Sequence, residues 1–525
     1  MDSDFQFIIV GSGCSAAHCA ATLLGKNVKV LMIDFGNDSS LEESIPNKSF
    51  LDIRRTDPKQ SEYFLGKNYE GISFDKIKPG AQLTPPRQFV TEHASKWNPV
   101  DSRSFSAVES LAYGGLARTW GFGCNVMDEN ELKKMGLPLD IADYQVIADR
   151  IGISAGNDEI REISGRGLKG IQGPLRIDSN ARSIRIRYHK NKKFFEDKNA
   201  VLGQIVAAML SENFKGRKAN SYNDMDFWAD PNKSGYRPNY TIDELKKSPN
   251  FKYLKGRFAT HYIDNNDQVQ LHCLEVATGK KEVFTTKKLI LAAGALGSAR
   301  IALRSKKLFD VAIPVLCNPF GYFVTLNLKM IGREQEKYRT SIGQLMLLYD
   351  DMMSVFFSYR SLLLHKLVKE FPLGYGLGRR FFQFIQSGLT IVTTNHPDSL
   401  SANGEKVCKL VPDDTPTGDK LMIQYNPSKE EKNQHRKKEK NLQGVLSKLG
   451  LTVVKKLEMP YGSSIHYGGT FCGNAISCDS EYRVKGTNRV YLADGGCFAY
   501  LPAKGITFTL MAQGHYVAKK ALQQD

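Results

Sequence analysis

The stretch from Phe5 to Asp34 constrains this chain more than any other. "FQFIIV" is a short apolar run of the kind that forms a strand buried on both faces. "GSGCSAAHCAATLLG" opens with glycines and continues with small residues at helical spacing. "NVKVLMID" is a second buried strand. Strand, tight turn, helix and strand in that order make a βαβ unit. Gly11, Gly13 and Ala16 place G-x-G-x-x-A across the turn. The first glycine permits the tight turn, the second lets backbone amides approach a pyrophosphate, and Ala16 allows the helix to pack closely on the strand. Ser15 stands in the first helical turn, where free N–H groups and the helix dipole favour an anion. Asp34 closes the second strand, where a carboxylate can bond a ribose hydroxyl. The glycine pattern alone is weak. Set between a strand and a helix, with an acid ending the second strand, it predicts dinucleotide binding.

Three later segments share this character. "ESLAYGGLARTWGFGCNVMDENELKKMGLP" holds five glycines, Gly114 and Gly115 among them, and ends in a short helix with an acidic start and a glycine stop. "KKLILAAGALGSARIAL" is a strand ending in Ala293-Gly294, then a helix that carries Ser298. "RVYLADGGCFAYLPAKGITFTLMAQG" sets Asp494 and Gly495 after a strand and begins a helix near Thr507. At 525 residues the chain is too long for one ordinary core. The expectation is an α/β protein. A Rossmann-type domain assembled from residues 1–157, 251–307 and 459–525 would enclose a second domain formed by 158–250 and 308–458.

Composition is that of an ordinary globular protein, with 41% hydrophobic and 24% charged residues. The net charge of +17 favours an anionic partner. No zinc-finger spacing, RRM signature or basic zipper is present, so nucleic acid is not expected. Nine cysteines, an odd number with no CxxC, read as reduced thiols in the cytoplasm. "FQFIIV" is too short and acidic-flanked for a signal peptide, and no run of about 18 apolar residues occurs. No histidine pair has metal-ligand spacing, so no metal is expected, and no G-x-S-x-G points to a serine hydrolase.

Four blocks together resemble the glucose-methanol-choline (GMC) oxidoreductases: "IIVGSGCSAAHCA", "YGGLARTWGFGC", "LILAAGALGSARIAL" and "SSIHYGGTFCGNAISCDSEYRVKGTNRVYLADGGCFAYLPAKGITFTLMAQG". The last is the most specific, with H-x-x-G-T, V-x-G-x-x-x-V-x-x-A-D and T-x-T-x-M-A in order. The resemblance implies FAD held by Gly11, Gly13, Ser15, Ala16, Asp34, Gly114, Gly115, Trp120, Ala293, Gly294, Ser298, Asp494, Gly495 and Thr507. It implies a substrate domain on a mainly antiparallel sheet, and oxidation of an alcohol by hydride transfer to flavin N5. The alcohol would be that of a sugar, polyol or sugar derivative; Trp120 after the Gly-Gly pair is similar to bacterial members associated with polysaccharide biosynthesis. His466 matches the family's catalytic histidine, a base or hydrogen-bond partner for the hydroxyl. No histidine stands near Gly114 and Gly115 to link flavin covalently, so FAD is expected to be non-covalent.

The chain departs from the family at one place. A second catalytic His or Asn usually precedes the T-x-T-x-M-A helix, and here Gly505 and Ile506 occupy that region. His466 working alone, Lys504 or Thr507 substituting, and altered chemistry are the alternatives. The electron acceptor is open between oxygen, a quinone and a redox protein. The basic excess would suit an anionic sugar. An NAD(P)-dependent dehydrogenase is disfavoured because the Ala-Asp-Gly segment would have no role in it. A non-enzymatic flavin-fold protein at an anionic membrane surface, or a scaffold, finds support in "SYRSLLLHKLVKEFPLGYGLGRRFFQF".

Overall fold

The computed structural model describes residues 5–39, 45–65, 85–265, 267–334, 336–358, 372, 374–400 and 405–523. At its centre is a five-stranded, all-parallel sheet. In spatial order the strands are Val490–Leu492, Lys288–Leu291, Phe7–Val10, Val30–Ile33 and Phe251–Leu254. Their apolar side chains divide by the two-residue period of a strand. Phe7, Ile9, Val30 and Met32 enter one core with the helices Cys14–Leu24 and Thr507–Gln523. Ile8, Val10, Leu31 and Ile33 enter another with the helix Ala295–Ser305. Both faces are covered, which is why the strands read as unbroken apolar runs.

The first and last helices approach unusually closely. A Cβ on Gly514 would lie 2.2 Å from the carbonyl oxygen of Ser15. Gly514 therefore sets the distance at which the C-terminal helix locks onto the first one.

A six-stranded antiparallel sheet stands opposite. Its order is Thr452–Glu458, Phe320–Leu326, Leu389–Asn395, Met352–Ser358, Leu345–Tyr349 and Val201–Gln204. Leu345, Leu347, Phe356 and Val392 pack on the helices Ser179–Lys190 and Lys429–Lys448. The alternate residues Met346, Phe357, Ile391 and Thr393 face a cavity. The helix Lys429–Lys448 is highly charged, and buries only Glu439, Leu442, Val445 and Leu446; a capping box between Ser428 and Glu431 starts it. The hairpin of Glu405–Pro412 and Asp419–Asn426 contributes Cys408, Leu410, Leu421 and Ile423 to the core beneath Ala295–Ser305.

Most of the loop expected at "KPGAQLTPPRQ" lies outside the described residues, as do 359–371 and 373 of the basic-aromatic stretch. Among the described residues no helix is long and apolar enough to cross a membrane.

Candidate cofactor and active site

A cavity of about 1000 Å³ runs from the carboxyl ends of the parallel strands to the free face of the antiparallel sheet. Open α/β sheets present ligand sites at that edge, where strand ends splay and helix N-termini converge. All four glycine-rich segments reach it. Of the residues singled out in the sequence, Gly11, Gly13, Ser15, Asp34, Gly115, Trp120, Ala293, Gly294, His466, Asp494, Gly495 and Thr507 line the cavity.

Three do not. Ala16 is fully buried where its helix packs on the sheet. Gly114 lies one layer back, its N–H donating to Ser12 Oγ at 2.8 Å. Ser298 is also fully buried; its hydroxyl donates to Asp494 Oδ2 at 2.6 Å and accepts from the Ala293 N–H at 3.2 Å. Ser298 thus orients Asp494 without reaching the cavity.

The geometry suits a dinucleotide. A Cβ built on Gly13 or on Gly294 meets no protein atom within 4 Å, so both glycines face open space. Each is the N-cap of a helix whose first turn receives no side-chain cap, leaving backbone donors for an anion. Gly11 is required for another reason. Its φ is +99°, and a Cβ there would lie 2.6 Å from the carbonyl oxygen of Ala292. Gly115 lies against Gly13, its Cβ position 3.2 Å from the Gly13 Cα. Two glycine-rich turns separated by about a hundred residues so form one wall.

Asp34 is held by residues the sequence did not mark. Ser12 Oγ and Tyr253 Oη both donate to its Oδ2, the latter at 3.0 Å. Burial pushes the Asp34 carboxyl up to about 7 and Asp494 up to about 6. Between pH of about 4 and these values the folded protein binds more protons than the unfolded chain. Stability contributed by the two acids is therefore present at low pH and lost as pH rises toward about 7. The melting temperature of cofactor-free protein should fall across that window, and Asp34→Asn should flatten the fall. Thermal melts over a pH series check this; an unchanged slope in the variant would remove Asp34 as its source.

His466 stands at the junction of the two halves. The strand Tyr467–Gly468 pairs with Leu316–Cys317, which brings Asn318 beside it. The Asn318 carboxamide nitrogen donates to the carbonyls of His396 and Pro502, both at 2.9 Å. Its oxygen therefore faces His466 Nδ1, at 3.2 Å. A carboxamide oxygen only accepts, so the proton resides on Nδ1 and the Nε2 lone pair is free. Burial lowers the His466 pKa to about 4, and the ring is neutral at neutral pH. The preceding residue, Ile465, has φ of +66°, a costly conformation for a β-branched side chain and one that sets the ring's approach.

Opposite Gly505 the structure supplies a residue that sequence reading missed. A Cβ on Gly505 would meet only the carboxamide nitrogen of Asn125, at 3.7 Å. Asn125 lines the cavity and is 3% exposed. Among the described residues its side chain has no hydrogen-bond partner, so the amide is left open toward the cavity. Nothing in "GFGCNVMD" signals this, because Asn125 comes near Gly505 only through folding. Lys504 does not line the cavity; its ammonium donates to Glu131 Oε2 at 2.8 Å. Of the two side chains considered as substitutes, only Thr507 reaches the cavity.

No protein-family model matches the chain. No curated protein matches it either. Among solved structures, pyridoxine 4-oxidase from Mesorbium loti is similar over 99% of this chain and 100% of that one, with a TM-score of 0.58 and 13% sequence identity. Likeness at that identity shows a shared fold, and it is the fold expected from the GMC resemblance.

Proposed function

We propose that this protein is an FAD-dependent oxidoreductase that converts an alcohol to a carbonyl compound. The observation that carries the reading is a neutral histidine, its Nε2 lone pair free, in the cavity that the four glycine-rich segments line. Bound FAD would supply the two-electron acceptor, taking the carbinol hydrogen as hydride while the hydroxyl proton goes to the protein and the C=O bond forms. On the protein side, Gly13 and Gly294 open the floor for the pyrophosphate, and Asp34 accepts from the ribose. His466 Nε2 takes the hydroxyl proton, and Asn318 holds the ring in that tautomer and stabilises the resulting imidazolium. Asn125 offers an N–H to the substrate oxygen. Non-covalent FAD is in keeping with a lining that contains no histidine but His466 among the described residues.

The sheet end of the cavity is walled by Met346, Met353, Val355, Phe357, Ile391 and Leu457, with Thr393 and Asn395 as polar groups among them. A polyol would set many of its hydroxyls against the six apolar side chains. An alcohol on an apolar or aromatic body fits better than the sugar, polyol or sugar derivative expected from the resemblance. Anaerobic loss of the visible flavin absorbance tests both points. The panel should contain aliphatic and aromatic alcohols, pyridoxine (the alcohol named for the structural neighbour), sugars and nucleotide sugars. Bleaching by apolar or aromatic alcohols is expected. Bleaching by sugars alone would overturn the substrate class, and an FAD-loaded protein bleached by none would overturn the reaction. With an active alcohol, Asn125→Ala should lower kcat/KM by about 10²-fold, as removal of a single oxygen-binding donor does.

A further inference from the structure

We propose that the helix Tyr375–Ile385 and the turn Leu328–Met330 form a docking surface for an anionic phospholipid bilayer. The helix is strongly two-sided. Phe382 and Ile385 are buried against Val324, Leu389 and Ile391. On the other side Leu377, Phe381 and Phe384 recur at i, i+4 and i+7, and they are 58%, 45% and 61% exposed. The turn extends this patch. The Gly332 N–H donates to the Phe384 carbonyl at 3.0 Å, and Leu328 is 62% exposed. Large apolar side chains at such exposure, grouped on one surface, mark an interaction site.

Charge identifies the partner. Arg379, Arg380, Lys329 and Arg333 are exposed around these side chains. The helix contains no acidic residue; Glu334, beyond the turn, is the acid next to the patch in sequence. Aromatic and aliphatic side chains ringed by cations match the boundary between anionic headgroups and acyl chains. The net charge of +17 on the whole chain points the same way. Tyr322, Phe357 and Leu457 pack against the cluster that seats this helix and also line the cavity. Docking would therefore place the bilayer behind the apolar wall at the sheet end of the cavity. The surface itself does not depend on the reaction proposed above.

Flotation of the purified full-length protein with lipid vesicles tests the proposal without any enzymatic readout. Vesicles of phosphatidylcholine with about 30% phosphatidylglycerol should bind at least about tenfold more protein than pure phosphatidylcholine. That excess should vanish in about 1 M salt, where the Debye length is about 3 Å. Arg379→Glu with Arg380→Glu should remove the salt-sensitive binding. Leu377→Asp with Phe384→Asp should abolish binding, with melting temperature and flavin content unchanged in both double variants. Absence of wild-type flotation, or flotation equal in wild type and variants, would overturn the proposal. So would a wild-type dimer in light scattering that Leu377→Asp with Phe384→Asp turns into a monomer, since the surface would then cover a second copy of the chain.

Discussion

His466→Ala should retain its flavin spectrum and lose about 10²- to 10⁴-fold in kcat/KM on an alcohol that bleaches the wild type, the range attributed to a positioned general base. The variant removes the proposed proton acceptor and leaves Gly13, Gly294 and Asp494, which also line the cavity, untouched. The pH profile sharpens the test. With a pKa of about 4, the wild-type base is fully unprotonated from about pH 5 upward. Wild-type kcat/KM should be level there and fall about tenfold per pH unit below about 4. A break near the ordinary histidine value of about 6.5 would mean that the ring is solvated rather than buried. Full activity in His466→Ala would remove the residue from the chemistry.

Gly13→Val should give a folded, colourless protein. The backbone at Gly13 is extended, with φ of −66° and ψ of −175°, a conformation any residue adopts. A Cβ at Gly13 meets no protein atom within 4 Å, so the side chain grows into the space in front of the first helix where the pyrophosphate would lie. Melting of the cofactor-free variant should stay within about 1 kcal/mol of the cofactor-free wild type. FAD occupancy, read as the ratio of visible to ultraviolet absorbance after reconstitution, should fall below detection. Gly11→Ala makes the contrast. Its positive φ and the 2.6 Å approach to the Ala292 carbonyl place the damage in the fold, so that variant should lose on the order of 3 kcal/mol of stability. A flavin-loaded Gly13→Val protein would show that the cofactor does not use the N-terminal helix.

The glycine turns at the ends of the parallel strands were legible because their determinants are local. Gly11, Gly13, Ala16 and Asp34 lie within one βαβ unit of consecutive residues, whose pattern can be read from a single stretch of sequence. The short helix Glu129–Met135 was readable for the same reason, with its Asp128–Glu131 capping box and its left-handed Gly136. Residues 158–250 show weak periodicity, and their helices emerge only in the structure. Two of them, Glu159–Ser164 and Ser179–Lys190, start at the caps Asp158 and Asp178, signals that the apolar pattern concealed.

Other contacts around the cavity depend on partners far apart in the chain. Asn318 sets the tautomer of His466 from 148 residues away. Ser12, just past the strand on one side of the one that Asp34 follows, and Tyr253, in the strand on the other side, both donate to one of its oxygens. The gap left by Gly505 is met by Asn125, and the alternative Lys504 is already committed to Glu131. By itself the sequence determined the glycine turns and the buried parallel strands, since short-range backbone sterics and residue patterning dictate them, while His466 was marked only by the family resemblance of its segment. Only the tertiary structure decided the tautomer and basicity of that histidine, the approach of Asn125 to Gly505 and the apolar side chains that the antiparallel sheet turns into the cavity. Those properties arise from desolvation and from contacts between segments that meet only when two sheets close on one cavity.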